Sequence, residues 1–374
     1  MEMLRAIGLM SGTSLDGVDA AWLETDGVLV GRLGPSLTLP YDAALRADLR
    51  RLLDRAPALP RDDAGVAEIA ARLTERHVEA VRAIGMPADI VGFHGQTILH
   101  RPDRRLTWQI GDADLLARAT GLRVAWDFRS ADVAAGGEGA PLVPAYHAAL
   151  AAKLPLPLAV LNIGGVANVT FIGADGALLA CDTGPGNGPL DDWAACHASL
   201  ACDRDGVLSA AGRVDAGVLA RLLADPWFRR PMPKSLDRLA FGATLAASGL
   251  DALAACDGAA TLVAFIAGAV ARIPLPEMPR RWLVCGGGRH NPSIMAALRA
   301  RLGAVAPVED VGWDGDALEA QCFGFLAVRV LRGLALSFPG TTGVGRPLPG
   351  GRIQEGQGSA LDPQGVRGPL DPMP

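Results

Sequence analysis

Long apolar runs are missing from this chain of 374 residues, and with them the simplest route to a membrane. The longest nearly uncharged stretch, Gly258 to Ala271, falls short of the ~20 residues that a membrane-spanning helix needs, so it is read as a buried helix. The N-terminus has no basic start followed by a long apolar stretch, so no secretion signal is read there and a cytoplasmic protein is expected. Positive charge is not in excess. A formal net charge of −5 argues against a nonspecific nucleic-acid binder, which needs a basic surface, and favours small-molecule chemistry. The six cysteines, Cys181, Cys196, Cys202, Cys256, Cys285 and Cys322, lack paired ligand spacing, so neither a zinc site nor a disulfide framework is indicated and reduced thiols are expected. Aromatic residues make up 5% against 50% hydrophobic residues overall, which leaves Ala, Leu and Val to build the core.

What the chain does have is glycine, in three clusters at the ends of strand-like segments. The first is Gly8-Leu9-Met10-Ser11-Gly12-Thr13-Ser14-Leu15-Asp16-Gly17-Val18-Asp19. Gly8, Gly12 and Gly17 permit tight turns and close approach of the backbone to a ligand, Ser11, Thr13 and Ser14 add hydroxyl groups, and Asp16 and Asp19 add carboxylates suited to a divalent cation. No lysine lies in this segment, so it is not a Walker loop, and a β-hairpin must do the phosphate binding. An ordinary hairpin with a Ser/Asp-rich turn has the same composition; repetition separates the two readings. A second strand, Gly-Gly turn and strand runs from Ala159 to Ile172 around Gly164, Gly165 and Asn168, and a third cluster, Gly286-Gly287-Gly288, follows the short strand ending at Cys285 and precedes a helical pattern over 292–302. Together they predict a nucleotide held between two similar halves, and a chain of this length is expected to form two domains rather than one core.

Strands are expected at 4–10, 18–24 and 28–39, then helices near 41–55 and 62–84, then a strand at Ile90-Val91-Gly92-Phe93 that delivers His94-Gly95-Gln96-Thr97 at its carboxyl end, where open α/β sheets place ligand contacts. The second half repeats the order, with strands near 158–163, 166–172 and 177–181, and an apolar-periodic helix is expected over 316–335. Asp182 follows the strand Leu178-Leu179-Ala180-Cys181 and precedes Thr183-Gly184-Pro185-Gly186-Asn187. That setting suits a carboxylate facing a ligand at a strand end, and equally a carboxylate capping a turn.

The ordered glycine clusters look like the sugar kinase, actin and heat-shock chaperone superfamily. Gly8 to Asp19, His94-Gly95-Gln96-Thr97, Asp127-Phe128-Arg129-Ser130, Gly136-Gly137-Glu138-Gly139-Ala140-Pro141-Leu142 and Asp182-Thr183-Gly184-Pro185-Gly186-Asn187 together resemble the anhydro-N-acetylmuramic acid kinase family over about residues 4–350. The resemblance implies an α/β fold of two ribonuclease H-like, actin-like ATPase domains with the active site in the cleft between them. Residues 1–132 would form the first domain, joined by a returning C-terminal segment at about 316–352, and residues 133–315 the second, with a disordered tail at 353–374. ATP and Mg²⁺ are the implied cofactor set, an anhydro-amino-sugar and water the other reactants, and a homodimer is left open.

Residue by residue, the resemblance makes Asp182 the general base. Nucleotide contacts fall to Gly12, Thr13, Ser14, Leu15, Asp16, Gly17, Val18 and Asp19, to Gly164, Gly165 and Asn168, and to Gly286, Gly287 and Gly288; Asp16 and Glu319 are the candidate magnesium carboxylates. Sugar contacts fall to His94, Gln96, Thr97, Asp127 and Arg129. A lactyl carboxylate on the sugar needs a cation, and Arg129 is the choice for two parallel hydrogen bonds; a structural ion pair with Asp127 or Asp132 is the alternative use of the same side chain. His94 also suits a hydrogen-bonded core position, and Trp108 is expected in the core. An ATPase driving a chaperone would need a peptide-binding domain for which little chain remains, and a noncatalytic sugar-binding regulator would not need Asp182, so catalysis is the favoured reading.

Overall fold

The computed structural model describes residues 1–12, 15–236 and 241–356. Thr13, Ser14 and the part of the expected tail from 357 onward lie outside the described residues.

The first half opens with β1 (Leu4–Ser11), β2 (Gly17–Thr25) and β3 (Val30–Pro40), followed by β4 (Ile90–Arg101), β5 (Leu106–Ile110) and β6 (Arg123–Trp126). The second contains β7 (Leu158–Ile163), β8 (Val166–Ile172), β9 (Leu178–Pro185), β10 (Arg281–Cys285) and β11 (Val305–Pro307), and β12 (Arg352–Gln354) closes the described chain. The first sheet has the order β12-β6-β4-β1-β2-β3, with β5 paired to β4, and the second the order β11-β10-β7-β8-β9. In each, the first three strands form antiparallel hairpins and two later strands add in parallel beside the first. One topology is thus built twice, the duplication that the glycine hairpins predicted.

Local sequence explains the helices that cover these sheets. Asp42 and Asp63 cap the helices Ala43–Arg55 and Ala64–Ile84 by accepting from the Leu45 and Val66 amides, and Gly85 ends the second in a left-handed conformation. The apolar stretch read as a buried helix is the helix Ala255–Val270, buried on all sides from Gly258 to Val270.

The helix Leu318–Leu331 returns to the first sheet, where three glycines let backbone meet backbone. A Cβ on Gly8 would lie 1.8 Å from the Ala320 carbonyl oxygen, one on Gly92 would lie 2.0 Å from that of Phe323, and one on Gly324 would lie 3.0 Å from the Gly8 nitrogen. Gly8, read from sequence as part of the ligand clamp, instead seats this helix. Gly17 likewise yields to β3, since its Cβ would lie 2.4 Å from the Leu39 carbonyl.

Several boundaries differ from expectation. β4 runs on past Phe93 to Arg101, so His94, Gln96 and Thr97 lie within the strand rather than at its carboxyl end. β9 runs on to Pro185 because the residues after Cys181 keep pairing with β8, so Asp182 lies within a strand opposite Asn168 rather than beyond its end. Ile353 and Gln354, expected in the tail, pair with Ala125 and Val124 as β12.

Candidate active site

Between the two sheets lies a cleft of about 200 Å³ whose lining includes Asp19, Asn162, Gly164, Gly286, Gly287 and Glu319. Gly286 has φ 73°, and a Cβ there would lie 2.2 Å from Asn162 Oδ1, so the turn after β10 admits no side chain. Gly288 packs as tightly on β7, its Cβ position 2.4 Å from Ile163 Cγ2. The Gly164 and Gly165 carbonyls accept from the Asn187 and Gly186 amides at 2.7 and 3.0 Å, which holds the second hairpin turn against the start of the helix Gly188–Ala198. Across the cleft, Asn162 Nδ2 donates to Glu319 Oε1 at 3.1 Å, and within the first sheet Thr38 Oγ1 of β3 donates to Asp19 Oδ1 of β2 at 2.6 Å.

Two carboxylates therefore face one cavity. Burial raises the pKa of Asp19, with the Thr38 hydrogen bond opposing and Asp316 and Asp16 reinforcing the rise. Burial also raises that of Glu319, and Asp19 adds to it. Such a pair favours a cation between its members. Among the described residues no cluster of three or more His, Cys, Asp or Glu side chains is arranged for a metal. Of the two sequence candidates, Glu319 faces the cleft, whereas Asp16 is exposed and ion-paired to Arg46 at 2.8 Å. Leu15 and Val18, expected beside the nucleotide, are buried in the first-half core.

A second cavity, of about 260 Å³, opens beside the middle of β4 and the carboxyl end of β6 and includes His94, Trp126, Asp127, Arg61 and Arg352 in its walls. Asp127 has φ 57°, an uncommon left-handed conformation for a residue other than glycine. His94 Nδ1 hydrogen-bonds the Gly95 carbonyl at 2.8 Å, which fixes the N–H there and leaves Nε2 to accept from Arg129 Nε at 3.1 Å. Burial and then the Arg129 charge hold the His94 pKa well below its usual value, so the ring is neutral. Arg129 Nη1 donates to the Gly139 carbonyl at 2.7 Å. Neither expected ion pair forms directly: Asp132 accepts from the Gly139 amide and from Thr342 Oγ1, each at 2.6 Å. Gln96 and Thr97 bond to neighbouring strands of the first sheet and are not in the cavity wall. Ser11 Oγ donates to Gln96 Oε1 at 2.5 Å and Gln109 Nε2 donates to Thr97 Oγ1 at 3.1 Å. Trp108 is buried, as expected; the tryptophan at the cavity is Trp126.

Asp182 is held from both ends by one segment of the second half. Its amide donates to the Lys234 carbonyl at 2.9 Å, and its Oδ2 accepts from the Leu236 amide at 2.6 Å. Burial raises its pKa to about 7, with the Leu236 hydrogen bond opposing and the nearby Glu138 charge adding to the rise. Glu138 accepts a hydrogen bond from Ser235 Oγ, its own carbonyl hydrogen-bonds His100 Nε2 at 2.9 Å, and its amide donates to the Thr342 carbonyl at 2.7 Å. The loop Gly136–Leu142 thus ties Arg129, which bonds the cavity residue His94, to the Asp182 side of the second half. Glu138, Ser235 and the Leu236 amide were missed by the sequence reading. Glu138 stood in a quoted motif, but nothing local marked its partner.

A doubled hairpin-and-crossover sheet with a glycine-walled cleft between its copies is the framework of an actin-like ATP-dependent phosphotransferase. Within that class, a family model described as anhydro-N-acetylmuramic acid kinase matches residues 4–355, and the chain belongs to this family. It is similar to the anhydro-N-acetylmuramic acid kinase of Acidiphilium cryptum, at 65% identity over 94% of this chain and 98% of that protein. It is also similar to that of Gluconobacter oxydans, at 58% identity over 94% of this chain and 99% of that protein. Among solved structures, component A of the (R)-2-hydroxyglutaryl-CoA dehydratase of Acidaminococcus fermentans gives a TM-score of 0.44 at 13% identity, covering 87% of this chain and 99% of that one; so slight a likeness bears no weight. The chain is a sugar kinase that uses ATP. No helix among its described residues is long and apolar enough to cross a membrane.

Proposed function

We propose that Asp182 is the general base for hydrolytic opening of the 1,6-anhydro bridge of anhydro-N-acetylmuramic acid, coupled to phosphorylation of O6. The observation that carries this reading is the partly buried Asp182 carboxylate, clamped by the Leu236 amide and poised to exchange a proton near pH 7. A base with that pKa can take a proton from water at neutral pH. Water attacks the anomeric carbon as Asp182 accepts its proton, the bond from that carbon to the bridge oxygen breaks, and the freed O6 attacks the γ-phosphorus of ATP while ADP leaves. One proton acceptor serves both bond changes, and the products are N-acetylmuramic acid 6-phosphate and ADP.

The two halves, residues 1–132 with 316–352 and residues 133–315, would act as the domains on either side of the reacting groups. The cleft fits the nucleotide, because Gly286 and Gly287 wall it without side chains and Asp19 and Glu319 supply an oxygen donor set at its edge. Magnesium held there by Asp19 and Glu319 would neutralise charge on the phosphates. The reading places the reaction in the cytoplasm, where ATP is available.

Mass spectrometry of the products formed in ¹⁸O-labelled water tests the coupling. Label at the anomeric oxygen of a 6-phosphorylated sugar is the expected result; label in the phosphoryl group instead would show ATP hydrolysis by water and overturn the coupled reaction.

Gly12 provides a test of the nucleotide end. It lies where β1 gives way to the turn, its carbonyl accepting from the Leu15 amide at 3.2 Å. A branched side chain there restricts the backbone where the turn begins. Gly12→Val is expected to weaken ATP binding about tenfold or more in titration calorimetry, a change of about 1.4 kcal/mol. Unchanged affinity in a folded variant would place the phosphates elsewhere.

A further inference from the structure

The sugar cavity contains two arginines to which no role has been given. Arg352 reaches it from β12, its Nε 3.1 Å from Asp127 Oδ2 and its guanidinium 5.5 Å from the centre of the Trp126 ring, with 67% of the side chain exposed. Arg61 reaches it from the opposite wall, donating through Nη2 to the Thr107 carbonyl at 2.8 Å, its guanidinium 5.4 Å from the centre of the Trp108 ring. Each stacks on an indole, which orients the planar group without using up its N–H donors. With His94 neutral, the two arginines and Asp127 leave the cavity wall one net positive charge. Arg129, the residue expected from sequence to meet a carboxylate, already directs Nε to His94 and Nη1 to Gly139.

We infer that Arg352, with Arg61 opposite, binds the lactyl carboxylate of the sugar and so makes this enzyme selective for acid-bearing anhydro-sugars. The inference rests on reading this cavity as the sugar site, because His94 and Asp127, two residues that the family resemblance assigns to sugar contact, line it. An ion pair through Nε leaves the two Nη groups of Arg352 for a ligand, so the guanidinium can bridge Asp127 and the incoming carboxylate, with the anion cancelling the remaining charge of the wall. Asp127, held in its left-handed conformation at the end of β6, then remains an acceptor for a sugar hydroxyl. Arg129 becomes a positioning residue that fixes His94 and the Gly136–Leu142 loop.

The test compares kcat/KM for anhydro-N-acetylmuramic acid and for its lactyl methyl ester, which has the same shape at the ring and no charge. The wild-type enzyme is expected to prefer the acid, and Arg352→Gln to lose about 10–100-fold on the acid, the range for a hydrogen bond to a charged group. The preference for acid over ester should collapse in the same variant, with Arg352→Lys restoring part of it and the KM for ATP unchanged. Arg61→Gln should reduce the preference independently. Equal losses on acid and ester in Arg352→Gln would make Arg352 a structural residue and overturn the inference, as would a retained preference for the acid in both glutamine variants. Failure of the wild-type enzyme to phosphorylate the acid at all would overturn the parent reading as well, and is distinct from either of those results.

Discussion

Asp182→Asn is expected to lower kcat by about 10²–10⁴-fold, the usual loss when a general base is removed, while ATP still binds. Asparagine keeps the shape of the side chain and an oxygen to accept from the Leu236 amide, 2.6 Å from Asp182 Oδ2; what it cannot do is take a proton from water. The wild-type rate should fall as pH drops through about 7, where burial places the Asp182 pKa, and the residual rate of the variant should lack that limb. Stability should move the other way. A carboxyl whose folded pKa lies above its unfolded value binds its proton more tightly in the folded state, so its contribution is fully present below the unfolded pKa and is lost as pH rises through about 7. The asparagine variant should therefore melt higher than the wild type at pH 8 and not at pH 4. A near-normal turnover number, or a pH–rate profile with the same limb in the variant, would remove Asp182 from the role of base.

The second large effect is predicted far from the reacting atoms. Gly8→Ala places a Cβ 1.8 Å from the Ala320 carbonyl oxygen and 2.4 Å from the Gly324 nitrogen, both backbone atoms of one helix. No rotamer change can relieve that contact, so the helix Leu318–Leu331 must move off the first sheet, at a cost at or above the range of about 1–3 kcal/mol typical of overpacking. Glu319 sits one residue before Ala320 and moves with it. The variant is expected to show a clearly lowered melting temperature together with a raised KM for ATP. Gly345→Ala, where nothing lies within 4 Å of the added carbon, is the matched control and should change neither. An unaltered melting temperature for Gly8→Ala would contradict the close seating of the helix.

Features repeated along the chain were legible in the sequence; features made by distant contacts were not. Apolar alternation marked β1 to β3 and β7 to β9 to within a few residues, and the glycine turns marked the doubling of the fold. Glycine was a weaker guide to what comes near it. It reports that something approaches closely, and at Gly8 and Gly17 that something is another stretch of backbone rather than a phosphate. Leu15 and Val18 were assigned by their place in a motif, yet their apolar side chains enter the core as their chemistry dictates. Asp182 was singled out by its neighbours Cys181 and Thr183, whereas its clamp comes from Leu236, 54 residues on, and the carboxylate that raises its pKa comes from Glu138, whose hydrogen-bond partner Ser235 is 97 residues away. No local periodicity encodes such pairings. Arg129 shows the same limit, since its two acceptors, the His94 ring and the Gly139 carbonyl, can be named only once the chain is folded.

The return of the chain to the first sheet bears on how the protein is made. β7 to β11 and the long buried helix Ala255–Val270 come from one continuous stretch, whereas the first sheet lacks its covering helix until Leu331 has been synthesised and its edge strand until Gln354. Domains usually fold in the order in which they emerge from the ribosome. Here the half that is made first is finished last: its groove over Gly8 and Gly92 is filled only once the chain has been made as far as Leu331.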